Sequence, residues 1–111
     1  MRINAKTRYL NEPAKLVFAF YGDRSMAILL HAIDGEPLAT ATVCIADYGF
    51  TPPEGHVVVK DYSENEGMLA CLIAQGVVTA PTEHIPGPNN ITFPVCALTE
   101  TARLATLNAE P

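Results

Sequence analysis

The sequence predicts an α+β fold, an antiparallel sheet of four to five strands with one helix, about residues 64–75, packed on one face. Three observations carry that expectation. Apolar residues alternate with period two through Lys15–Tyr21 and again through Leu38–Ala46, as half-buried strands require. Asp34-Gly35 sits between two apolar runs as a hairpin signal, because glycine tolerates the positive φ of the favoured two-residue turns. A single stripe at helical spacing, Met68, Leu69, Leu72 and Ile73, ends at Gly76, a usual residue just past a helix terminus.

In chain order, residues 1–13 are mixed and polar and read as a loosely held arm of a single domain, 1–111. The first strand, from Lys15, turns Leu16, Phe18 and Phe20 to one side and ends at Gly22-Asp23. Met26–Ile33 lacks alternation and is expected to be buried on both faces. In Leu38–Ala46, Ala39, Ala41, Val43 and Ile45 should face the core and the threonines water. A Gly- and Pro-rich loop leads to Val57-Val58-Val59, a short β-branched strand. Ser63-Glu64-Asn65-Glu66 has capping-box spacing, Ser63 accepting from the Glu66 N–H and the Glu66 carboxylate reaching back. The stretch from Ala80 to Asn90, with its prolines, reads as a loop. Ile91–Leu98 is the last strand, and Pro94 assigns it to a sheet edge because proline cannot donate to a ladder. From Thr99 the tail, 100–111, either starts a short helix capped by that threonine or frays.

With 49% apolar and 17% charged residues, the chain can offset the entropy of ordering a core. No apolar run nears the roughly 18 residues of a membrane helix, and residues 1–8 lead into no secretory signal pattern. Three widely spaced cysteines read as free thiols of a reducing compartment, so the expected location is the cytoplasm. The net charge of −5 is unevenly spread: residues 1–24 hold five bases against two acids, while Asp34–Glu66 hold seven acids against one base. Such an acidic middle either solubilises the chain or seeks a partner protein with a basic surface; it disfavours direct nucleic-acid binding.

Catalytic and metal-binding patterns are weak. Cys44, Cys71 and Cys96 with His31, His56 and His84 show none of the close ligand pairs of zinc sites, so no metal or cofactor is expected. Asp61, Glu64 and Glu66 suit a helix start, where acids complement the dipole, better than an acid–base pair. The helix face opposite the apolar stripe, Gly67, Ala70, Cys71 and Ala74, carries no charge. Either another layer, such as the Ala80–Asn90 stretch, covers it, or it is a contact surface. The candidate protein-interaction residues are therefore Asp47, Glu54, Glu64, Gly67, Ala70 and Ala74.

Lys60–Met68, followed by Leu72 and Gly76-Val77-Val78, and later Phe93–Thr99, resemble a family of short bacterial proteins of unknown function marked by an Asn-Glu-Gly motif. Its members are often carried on plasmids, integrated elements and phages. The family has no assigned activity, so the resemblance transfers no site and implies only a mobile-element accessory role. The function expected is a small acidic, non-enzymatic protein-binding module, with an inhibitor of a host defence complex such as CRISPR-Cas as its specific version. A small enzyme using a Cys–His pair and a homo-oligomeric structural protein, a homodimer for instance, are the alternatives.

Overall fold

The computed structural model describes residues 1–107, and the helices and strands do form an α+β fold. The sheet is divided, however. Strands β1 (Arg2–Lys6), β2 (Asn11–Phe20), β3 (Met26–Ala32) and β4 (Pro37–Thr40) make one antiparallel sheet in the order β1-β2-β3-β4. Strands β5 (His56–Val58), β6 (Val78–Pro86) and β7 (Thr92–Leu98) make a second, in the order β5-β7-β6. Helix α1 (Met68–Ala74) lies between β5 and β6 in sequence, and α2 (Glu100–Thr106) follows β7.

The inner face of the first sheet contributes Ile3, Ala5, Ala14, Leu16, Phe18, Ile28 and Leu30 to the main core. The second sheet supplies Val57, Val78, Cys96 and Leu98, while α1 adds Met68, Cys71 and Leu72 and α2 adds Ala102. A smaller cluster of Ile45, Val58, Phe93 and Val95 fills the far side of the second sheet under Val43, Phe50 and Tyr62. That sheet is therefore covered on both faces, which is why Val57–Val59 and β7 show no clean alternation.

The sheets meet where β4 ends. Ala41 donates to the Ile28 carbonyl of the first sheet (2.8 Å), and its own carbonyl accepts from Lys60 on the way out of β5 (2.8 Å). A residue in a regular strand points both groups to one side; Ala41 splits them, and the chain changes sheets there. Thr42 then pairs with Val59 in an isolated antiparallel bridge. The Ile28 N–H, left without a backbone acceptor, is taken by the Thr42 hydroxyl oxygen at 3.1 Å. The same hydroxyl meets the Tyr21 phenol at 3.0 Å.

Several sequence expectations change. The arm is no arm: Arg2–Lys6 alternates, burying Ile3 and Ala5, and β1 pairs with β2 in full register from Arg2↔Lys15 to Lys6↔Asn11. Thr42 was expected in water but is buried, since its hydroxyl completes the seam. The Ala80–Asn90 loop is mostly β6, an exposed edge strand with Pro81 at its register shifts and Pro86 at its end, so its sequence lacks the alternation that burial imposes. β7, assigned to an edge by Pro94, is the central strand. The Pro94 carbonyl accepts from Val59 (3.0 Å), so its missing donor faces the end of three-residue β5, where the pair with Val59 makes one bond in place of two. Of the tail, 100–106 is helical, with the Thr99 hydroxyl accepting from Ala102 N–H at 3.2 Å; 108–111 lie outside the described residues.

The seam makes a specific demand on stability. Thr42→Val keeps the volume but strips the partner from the Ile28 N–H and the Tyr21 hydroxyl, and is expected to cost about 1–3 kcal/mol in urea unfolding. Thr40→Val, two residues away at an exposed position, should stay within about 0.5 kcal/mol of the parent.

Candidate interaction surfaces

The Asn-Glu-Gly segment is a structural joint. Asn65 is buried and donates from Nδ2 to the Thr40 carbonyl at 2.6 Å, fixing the segment to the end of β4. The Glu66 carbonyl accepts from Arg8 N–H (2.9 Å), and its carboxylate pairs with the Arg8 guanidinium. Gly67 takes φ +97°, and a Cβ there would lie 3.3 Å from the Thr7 Cα, so only glycine lets the backbone pass the β1–β2 turn at that angle.

This geometry displaces the capping box. Ser63 stands at φ 53° in a 3₁₀ turn (Ser63–Asn65), its side chain caps nothing, and α1 starts at Met68. Asp61 does the capping from six residues upstream of Gly67. Its Oδ1 accepts from Gly67 N–H (3.1 Å) and Leu69 N–H (2.9 Å), satisfying donors that a helix start leaves open. The far end of α1 is as read from sequence: Gly76 at φ +73° with Gly76 N–H to Ile73 and Val77 N–H to Leu72.

The helix is also turned relative to the expected stripe. Met68, Cys71 and Leu72 are buried, and Ile73 is exposed. The reason is the open edge of β1, against which α1 lies. The Gln75 side chain accepts from Asn4 N–H (3.0 Å), and the Cys71 thiol sits between the Lys6 N–H and the Asn4 carbonyl. An unpaired strand edge is thereby closed. Ala70 and Ala74 do face outward, uncovered by the Ala80–Asn90 stretch, whereas Gly67 is wedged against Thr7.

The acids do not gather. Glu64 is engaged by Lys60, whose ammonium holds its carboxyl below the ordinary value. Glu66 goes to Arg8 and Asp61 to the helix start. Asp47 is exposed in a 3₁₀ turn, Ala46–Tyr48. Of the six proposed contact residues, Glu54 alone lines the groove beside α2.

That groove, ≈ 800 Å³, opens between the β2–β3 turn, the loop before β5, and α2. Phe20, Met26 and Leu98 line it together with Leu104 and Leu107, and Glu54, Glu100, Arg24 and Arg103 supply charge. Phe20, Leu104 and Leu107 are exposed by 39%, 61% and 79%, unusual for large apolar side chains converging on one opening. The turn on its rim is firm: the Ser25 hydroxyl and N–H donate to Asp23 at 2.5 and 2.9 Å and hold its carboxyl below the usual range. Sequence reading missed this site. Its one sequence signal is Leu104, which lies off the Ala102–Ala105 stripe by which α2 docks.

Among the described residues no group of three or more His, Cys, Asp and Glu side chains could hold a metal ion. Cys71 and Cys96 are buried, and burial pushes the Cys96 thiol up to about 11; Cys44, beyond the end of β4, is exposed. No described helix is long and apolar enough to cross a membrane. Comparison with family models, with curated proteins and with solved structures returned no match.

Asp61→Ala is expected to lose about 0.5–2 kcal/mol of stability and Ser63→Ala less than about 0.5 kcal/mol, reversing the order that capping-box spacing suggests. Chemical denaturation of the two variants beside the parent checks this. For the thiols, maleimide labelling of the native chain followed by peptide mapping should modify Cys44 well before Cys71 or Cys96, which react only on unfolding.

Proposed function

We propose that the chain is a small non-catalytic binding module whose groove receives apolar side chains of another protein. The observation that carries this reading is the convergence of exposed Phe20, Leu104 and Leu107 on one opening. Such side chains gain most when a partner removes them from water. Glu54 and Glu100 on the lining would answer basic groups that flank the partner's apolar anchor. A thiol enzyme draws less support: a thiol raised to about 11 by burial is a poor thiolate, and exposed Cys44 has the Asp23 carboxylate as a neighbour, whose negative charge disfavours a thiolate.

The resemblance carried by Asn65-Glu66-Gly67 extends the proposal. On that basis the partner is a host protein met in the cytoplasm, and the acidic stretch Asp34–Glu66 favours one with a basic, nucleic-acid-gripping surface. Inhibition of a defence complex such as CRISPR-Cas is the specific version.

The test is capture from host extract with the tagged chain, identification of the bound protein, and titration of that purified partner. Leu104→Ser is expected to weaken binding at least tenfold. Glu54→Lys should weaken it by an amount that shrinks as salt is added. Ala70→Arg, on the outward strip of α1, should bind as the parent does. Equal affinity in all three variants overturns the groove reading, and loss in Ala70→Arg alone moves the interface to α1.

A further inference from the structure

The open face of the first sheet carries charge of one sign. Register places Arg2 opposite Lys15 and Lys15 opposite His31, so one row across three strands holds two permanent cations and an imidazole. Lys6, four residues along β1 from Arg2, shares the face by strand alternation. No acid of the four strands does: the one acid among them, Glu12, has the parity of inward Ala14 and Leu16. The two ion pairs of the described residues use Arg8 and Lys60, not these side chains. Like charges set directly opposite destabilise a sheet, and here nothing among the described residues offsets them. A face holding Arg2, Lys6 and Lys15 also runs against a chain of net charge −5.

Beside the basic row the face is apolar. Val17 lies opposite Leu29 in register, 36% exposed, with Leu29 half-buried. Four strands at their usual spacing span about 14–15 Å, enough to seat one α-helix of about 10–12 Å diameter.

We propose that this face docks an acidic amphipathic helix of a partner protein, its apolar stripe on Val17 and Leu29 and its carboxylates toward Arg2, Lys6 and Lys15. Nucleic acid fits less well, because no strand residue on the face is a phenylalanine, tyrosine or tryptophan, and His31 is the sole ring its strands offer for bases to stack on. The surface is separate from the groove and stands or falls without it.

The test is an NMR titration of the ¹⁵N-labelled full chain with an 18-residue helical peptide carrying glutamates beside a leucine stripe. A scrambled peptide of equal composition, a single-stranded RNA and phosphatidylserine vesicles serve as comparators. Shifts should centre on Lys15, Val17, Leu29 and His31, and the scrambled peptide should bind at least tenfold more weakly. Lys15→Glu should also weaken binding at least tenfold while raising the thermal midpoint, because it relieves repulsion with Arg2. Glu83→Gln, at an exposed position of edge strand β6 away from both surfaces, should leave both unchanged. Equal binding of the scrambled peptide, shifts centred elsewhere, tighter binding of RNA or vesicles, or a Lys15→Glu variant that is less stable or binds normally would each overturn the proposal. Val17→Asp, which removes the apolar seat and leaves the basic row intact, should give the same loss of binding by a second route.

Discussion

Everything in this fold hangs on the corner at Ala41-Thr42-Val43. Two sheets can share a core only if the chain leaves one ladder for the other, and a chain that does so abandons a backbone partner. Ala41 gives its N–H to Ile28 and its carbonyl to Lys60, and Thr42 restores with a side chain the acceptor that the backbone withdrew from Ile28. Val43 then donates to Val58 (3.0 Å), and Val59 donates to Pro94, so the corner also positions β5 against β7. A buried N–H without a partner costs about as much as a lost hydrogen bond, so this single hydroxyl holds the angle between the sheets. Burial lifts the Tyr21 phenol above its ordinary value while the Thr42 hydrogen bond opposes that rise, which fits a tyrosine sealed against the corner.

The second constraint is the free edge of β1. α1 closes it with Cys71 and Gln75, and the helix can reach that position only because Asn65, Glu66 and Gly67 clamp its start to the β4 end and to the β1–β2 turn. Asp61 supplies the charge at the helix start that the motif itself does not. A motif that looks like a functional signature is thus consumed by architecture. Asn65 and Gly67 are directed at Thr40 and Thr7, and Glu66 holds Arg8 at the surface.

What remains for function is surface. The buried thiols and the ion-paired acids are committed to the fold, while the groove beside α2 and the basic sheet face are not. Their chemistries differ: one is apolar with mixed charge, the other cationic around Val17 and Leu29. On the two proposals made above, each surface takes a partner of its own. Steering by opposite charge would speed encounter at the sheet face, whereas burial of apolar area would set residence in the groove.

The sequence by itself determined part of the secondary structure, where one face of an element is buried and the other is wet; yet β1, which also alternates, was read as an arm, and the alternation through Leu38–Ala46 outran β4, which ends at Thr40. β2 was legible from Leu16, Phe18 and Phe20, the β3–β4 hairpin from Asp34-Gly35, and the end of α1 from Gly76, because each is governed by local sterics or by a period that one-sided burial imposes. Tertiary structure alone decided the rest. Edge strand β6 buries little and so leaves no period to read, and Pro94 could sit in a central strand only because β5 ends beside it. Asp61 displaced Ser63 as the cap because a carboxylate six residues away in sequence was held beside the helix start in space. The candidate surfaces belong to the same class. Arg2, Lys15 and His31 are far apart along the chain, as are Phe20 and Leu104, and only strand pairing and helix docking bring them onto one face or around one groove.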